Sequence, residues 1–161
     1  MTKPAHFYDV ESASHLFELI KATARNFSES RGKSTKDLLF LVFGLTHLRE
    51  WIAPQYDPKF SPNSPEEHFF QEIFKLHEFN ILRGLCNRSK HMSSNVEATG
   101  ALYGASIDDW PNVDDVADFD RGPPITYFVD GRDIEKVIPV VIRFYEESWF
   151  KKYARSGGTA A

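Results

Sequence analysis

The chain has 161 residues, of which 42% are hydrophobic and 14% aromatic, a composition that fits one folded domain and argues against global disorder. Its formal net charge is −4, whereas proteins that grip nucleic acid through the phosphate backbone usually present a basic face. The single cysteine excludes an intramolecular disulfide and a zinc site built on cysteine pairs, and it fits a reducing cytoplasm.

The N-terminal stretch MTKPAHFYDV contains no apolar core of the kind found in signal peptides. No apolar run along the chain approaches the roughly 20 residues that a membrane span requires. We therefore expect a cytoplasmic protein that has no membrane segment.

Two periodic apolar segments predict the first two helices. Residues 9–29 place apolar side chains at three- and four-residue steps, which is the spacing of one helix face. A second helix is expected over 35–53, with Ser34 as its N-cap and its end before Pro54. Apolar residues cover most of its circumference, which indicates that it is the most buried helix.

The motif SPEE predicts the start of a third helix, over residues 65–90. Ser64 is the expected N-cap, Pro65 takes the first helical position, and the Glu67 side chain returns to the cap. Gly84 lowers helix stability by roughly 1 kcal/mol relative to alanine, so we expect a bend or break at that residue.

The pattern changes between residues 93 and 131, where short strands with glycine and Asp-Gly turns surround an Asp-rich loop at 108–120. A fourth helix follows over 133–153, and Pro139 is expected to kink it. The predicted fold is mainly α, with a four-helix bundle-like core and a small β insertion at about 93–131, between the third and fourth long helices. We expect a single domain over residues 1–155 and a disordered tail at 156–161.

The acidic and histidine residues do not form a recognisable metal or cofactor motif. His68 and Glu72 would share a helix face, but two ligands do not make a site. The Asp-rich loop lacks the spacing of an EF-hand, so a solvated acidic loop is favoured over calcium binding or a cover for the cationic stretch described below. The chain also has no glycine-rich phosphate loop. We predict no metal and no cofactor.

Cys86 permits two interpretations. The neighbouring Arg83 and Arg88 would lower the pKa of its thiol and so favour a nucleophile. However, His91 lies five residues away, a poor spacing for a shared helix face, and a lone cysteine on an apolar helix is more often packed in a core. We predict packing.

The segment ILRGLCNRSKHM, residues 81–92, gathers three cations and a histidine. On a helix, Asn87 and His91 share a face, Arg88 lies beside that face, and Arg83 lies one turn before Asn87. Such a face could hold a phosphate and place an imidazole near a ribose hydroxyl, as RNA cleavage without metal requires. Alternatively, the cations only offset the dipole at the end of the helix.

The same segment resembles the motif of the HEPN superfamily, helical and often dimeric domains found in many toxin and phage-defence systems. That motif is an arginine, a polar residue that is commonly asparagine, a few variable residues and a histidine. Matching Asn87 and His91 to the motif places Cys86 where the arginine of the family's RNase site belongs. The resemblance implies a HEPN-like domain with a degenerate motif.

Two functions remain open from the sequence. The first is a non-catalytic binding or regulatory module, linked to a bacterial or phage defence or toxin–antitoxin system, which the missing motif arginine and the acidic composition favour. The alternative is a metal-independent endoribonuclease in which His91 acts with Arg88 or Arg83, beside Asn87. We further predict a homodimer, because the second and third helices carry more apolar surface than one small bundle covers. The expected further partner is a protein or RNA.

Overall fold

The computed structural model describes residues 10–30, 32–90, 102–105, 125–129 and 131–154. The predicted mainly α fold is confirmed. The helices are α1 (Ala13–Glu29), α2 (Thr35–Ile52), α3 (Pro65–Glu72), α4 (His77–Lys90), α5 (Ile134–Tyr145) and α6 (Lys151–Ala154). The strands are β1 (Leu102–Ala105), β2 (Ile125–Val129) and β3 (Arg132–Asp133). The Asp-rich loop and the C-terminal tail lie outside the described residues.

Serine caps determine where the first two helices begin. The Ser12 Oγ accepts a hydrogen bond from the His15 backbone N–H at 3.1 Å, so α1 starts at Ala13 rather than at the predicted residue 9. Ser34 caps α2 in the predicted way, with its Oγ 3.3 Å from the Asp37 N. The predicted start of α1 was therefore too early, and the predicted start of α2 is confirmed.

The predicted third helix, 65–90, is two helices. A 3₁₀ turn at Ile73–Lys75 follows α3, and the backbone at Leu76 is extended before α4 begins. Gly84, where we predicted the bend, lies inside the continuous helix α4. The break was therefore predicted at the wrong position.

The Asn80 side chain explains why the break is tolerated. Its Nδ2 donates hydrogen bonds to the carbonyl of Phe74 at 2.6 Å and to that of Leu76 at 3.2 Å. The Leu76 carbonyl also accepts the Asn80 backbone N–H at 3.2 Å, so the side chain chiefly supplies a partner for the Phe74 carbonyl at the break. The break turns the chain so that the Phe74 ring faces α2.

The strands form an antiparallel sheet in the order β1-β2-β3. Gly131, between β2 and β3, has a φ of +69°, the left-handed conformation that glycine adopts without steric cost. β3 lies just beyond the strand range of 93–131 that we predicted. Asp133 then caps α5, with its Oδ1 accepting from the Glu135 N–H at 2.9 Å.

The helix α5 continues through Pro139, whose side chain is exposed. The departure from α-helical geometry comes after the proline, in a π-helical turn at Glu146–Phe150 that leads into α6. Phe150 in this turn stacks on Phe17 of α1 with ring centres 4.4 Å apart, so the turn is anchored to the first helix.

The core surrounds α2, which packs against α1, α4 and α5. Close packing is visible at Gly44, where a Cβ atom would lie only 3.0 Å from Ile20 of α1. The fully buried side chains are mainly aliphatic and aromatic and include Ile20, Leu41, Val42, Leu45, Leu48, Ile73, Phe79, Leu82, Ile134, Val141 and Tyr145. In the part of the chain that the structure describes, no helix is long and apolar enough to span a membrane.

Candidate functional site

Cys86 lies in the core and is fully buried. Its Sγ is 3.7 Å from Nε2 of His47, so the side chain links α4 to α2. This confirms the predicted packing role. The position that the HEPN motif gives to an arginine is therefore occupied here by a buried contact between two helices.

The other predicted site residues on α4 point in different directions. Arg88 is exposed, whereas Arg83 and Asn87 are half-buried. Arg83 and Arg88 are five residues apart, which separates them by about 140° around a helix. The two predicted cations are therefore on different faces of α4. His91 lies outside the described residues.

Arg83 instead meets a second arginine that we did not predict. Its guanidinium carbon is 4.8 Å from the centre of the Phe74 ring, and that of Arg49 on α2 is 4.2 Å from the same centre. Two cations from different helices thus share one aromatic ring at the break before α4. Each guanidinium makes a cation–π contact with the ring. The positive charge of Arg83 also repels that of Arg49.

Arg49 occupies a cage of three phenylalanines. Its guanidinium lies 4.2 Å from the ring centre of Phe70 and 5.1 Å from that of Phe79, in addition to Phe74. The residue is only 8% exposed. Burial lowers the pKa of Arg49 from its ordinary value, and the charge of Arg83 lowers it further, against the opposing influence of Tyr145 and Glu50. The cage therefore holds a positive charge in a place that disfavours it.

The buried polar atoms of this region have open hydrogen-bonding capacity. Within the described ranges, the buried side-chain nitrogen and oxygen atoms without a hydrogen-bond partner are Arg49 Nε and Nη1, Arg83 Nε and Thr46 Oγ1. Thr46 and Arg49 are one turn apart on α2, so they lie on the same side of that helix. We call Arg49, Arg83 and the Phe74 ring that both contact the arginine pair site.

The sequence contained one signal for this site. Arg49 is a charged residue within the apolar stripe of α2 and is buried beside Leu45, Leu48 and Ile52. A charge on a buried helix face is rare unless it is paired. The role of Phe74 was not foreseeable, because its position depends on the unpredicted break at Leu76.

The described residues provide no group of three or more histidine, cysteine, aspartate or glutamate side chains arranged to hold a metal ion. His47 Nδ1 contacts Glu50 Oε2 at 2.9 Å while its Nε2 faces Cys86. This histidine is therefore engaged on both sides with protein groups.

In comparisons with family models, curated proteins and solved structures, nothing matches this chain. The resemblance to HEPN domains accordingly stays a prediction from the residues of the motif segment.

Proposed function

We propose that this protein is a non-catalytic helical binding module that works as a homodimer and serves as the partner component of a defence or toxin–antitoxin system. The observation that carries the proposal is the burial of Cys86. An RNase of the HEPN type needs an arginine there, accessible to a phosphate, but this chain uses the position to pack α4 onto His47 of α2. The link to defence comes from the HEPN resemblance.

The outer face of α2 supports the dimer. Phe40 and Trp51 are exposed on this face, and Trp51 retains 43% of its accessible surface. Phe40 and Trp51 are eleven residues apart, so they lie on one side of α2 at the two ends of a strip about 16 Å long. A two-fold pairing of this strip with its copy would be self-complementary and would remove it from water.

The dimer can be tested by sedimentation or light scattering at micromolar concentration. We expect the wild-type protein to be a dimer and Trp51→Glu to be a monomer, because the substitution places a charge within the apolar strip. Phe60→Glu is the matched control, since Phe60 is 69% exposed and lies in the loop after α2. A monomeric wild-type protein would contradict the proposed assembly.

The second candidate function is the metal-independent RNase. The exposed residue Arg88, next to Asn87 on α4, favours it because a cation at the protein surface can stabilise the charge that develops on a phosphate. In this alternative His91 supplies the acid or base.

Cleavage of RNA in the presence of a chelator distinguishes the two functions. The binding-module proposal predicts that the wild-type protein leaves RNA intact. Cleavage that disappears in His91→Ala but persists in His15→Ala, an exposed histidine on α1, would contradict the module and establish the RNase. Melting temperatures of both variants control for loss of fold.

A further inference from the structure

The arginine pair site has an excess of positive charge. The carboxylate that acts electrostatically on Arg49 is Glu50, but Glu50 directs its Oε2 to His47 at 2.9 Å and is half exposed. Glu78 on α4 lies 3.6 Å from Arg132 rather than at the pair. The two guanidinium groups therefore adjoin Phe74 without a carboxylate paired to them among the described residues.

The phenylalanine rings compensate only part of this charge. Cation–π contacts stabilise a guanidinium by about 0.5–2 kcal/mol each, but they do not accept its in-plane N–H groups. Arginine has five such donors, and those of Arg49 Nε and Nη1 and of Arg83 Nε are buried without an acceptor. A ligand that supplies negative charge and in-plane acceptors would satisfy both needs.

We propose that Arg49 and Arg83 form a binding site for an oxyanion, a carboxylate or phosphate group that accepts hydrogen bonds from the guanidinium groups beside Phe74. Both groups have planar forks of donors that match carboxylate and phosphate oxygens. Arg83 is half-buried and is the outer member of the pair, while Arg49 is 8% exposed and is the inner member. The phenylalanine walls exclude water and strengthen the electrostatic attraction.

This inference is independent of the function proposed above. The proposed anion site uses neither the α2 strip nor Cys86. Arg83 is also a candidate of the RNase alternative, but Arg49 belongs to neither predicted function, and anion binding is measured without RNA. An anion could reach the arginine pair site in a monomer or in a dimer. Failure of the anion experiment would therefore leave the dimer and the RNA-cleavage tests unaffected.

The first experiment follows the melting temperature during titration with sodium phosphate or sodium acetate, with sodium chloride at equal ionic strength as the reference. We expect at least one oxyanion to raise the melting temperature saturably above the chloride reference, since ligands that bind only the native state stabilise it. A preference for phosphate identifies a phosphorylated ligand as the source, and a preference for acetate identifies a carboxylate. No rise above chloride with either anion would overturn the proposal.

The second experiment assigns the effect to residues. Arg83→Gln removes one cation and should weaken binding of the effective anion by about tenfold or more, because it removes charged hydrogen bonds. Arg25→Gln, an exposed arginine on α1, makes the same change in net charge and should leave the affinity unchanged. If both variants lose the same amount of affinity for the anion, the effect comes from net charge alone and the proposed site is rejected.

A spectroscopic measurement on the wild-type protein covers the case in which Arg83→Gln does not fold. The Nε–H groups of arginine give separate signals in ¹⁵N–¹H spectra. Two of these signals should shift saturably with the effective anion, with a common dissociation constant, and Arg49→Lys and Arg83→Lys should each remove one of them. Signals that shift linearly to the highest concentration, or for every arginine alike, would contradict the proposal.

Discussion

The Tyr145 hydroxyl and the Arg49 guanidinium are both buried beside α2, yet their hydrogen bonding differs. The hydroxyl donates to the Leu45 carbonyl at 2.7 Å, and burial raises the pKa of Tyr145 well above its usual range. The guanidinium has rings on its faces but buried N–H groups without acceptors. Tyr145 is therefore a buried polar group with its hydrogen bond satisfied, whereas Arg49 keeps donors that the proposed oxyanion would satisfy.

The largest expected effect tests whether the phenylalanine cage is what makes a buried arginine tolerable. Cys86→Arg would place an arginine at the fully buried position where the HEPN motif has one. We expect it to lower the free energy of unfolding by about 3 kcal/mol or more, because an uncompensated charge would enter the core. Urea denaturation measures this loss, with Asn87→Arg at the half-buried neighbouring position as the milder control. A stable Cys86→Arg protein that cleaves RNA would refute our interpretation of this position.

The next effect comes from removing one wall of the cage. Phe79 is fully buried and contacts both Arg49 and Phe74. Phe79→Ala should cost about 3–5 kcal/mol of stability, as large-to-small substitutions of buried phenylalanine do. Phe60→Ala, in an exposed loop, should change stability by no more than about 0.5 kcal/mol. Similar costs for the two substitutions would show that Phe79 is not a core residue.

Tyr145→Phe tests the satisfied member of the comparison. Loss of the hydroxyl removes the hydrogen bond to the Leu45 carbonyl and should cost about 1–2 kcal/mol. Tyr153→Phe, near the C-terminal end of the last helix and half-buried, is the matched control and should be close to neutral. If Tyr145→Phe leaves the free energy of unfolding unchanged, the hydroxyl does not stabilise the fold and the contrast with Arg49 is lost.

The pH dependence of the same variant sharpens the test. A tyrosine in the unfolded chain ionises near pH 10, whereas the folded-state pKa of Tyr145 is raised by burial. The stability that Tyr145 contributes is therefore fully present below about pH 10 and is lost as pH rises towards the folded-state pKa. The difference in unfolding free energy between wild type and Tyr145→Phe should be constant at neutral pH and shrink above about pH 10. If this difference instead grows above about pH 10, the folded-state pKa of Tyr145 is not raised and the prediction is contradicted.

The sequence predicted the helices well and the arginine pair site hardly at all, for physical reasons. Periodic apolar residues and the Ser34 and Ser64 caps are local signals, so α2 and the start of α3 were predictable. The break at Leu76 is accompanied by side-chain bonds from Asn80 to the carbonyls of Phe74 and Leu76, and an asparagine within a helix is a weaker signal in the sequence than a serine cap. The meeting of Arg83 with Arg49 in turn depends on that break, and it joins residues far apart in sequence.

The exposure of α4 residues illustrates the same limit. Helical spacing correctly put Arg83 one turn before Asn87, but it could not tell which neighbour each side chain would find. Arg83 packs on Phe74, and Arg88 is exposed. The candidate RNase group was therefore defined by sequence proximity, while the structure separates its two cations.

The most direct test of the central claim is the free energy of unfolding of Arg49→Met in buffer without oxyanions. Methionine fills a similar volume among the three phenylalanines and carries no charge. If Arg49 is kept for anion binding at a cost in stability, the variant should be more stable than wild type by about 1 kcal/mol, as when well-packed apolar residues replace buried charges elsewhere. It should also fail to gain stability from the anion that stabilises the wild-type protein. A loss of more than about 1 kcal/mol would contradict this account, because the cation–π contacts of Arg49 would then be a net source of stability.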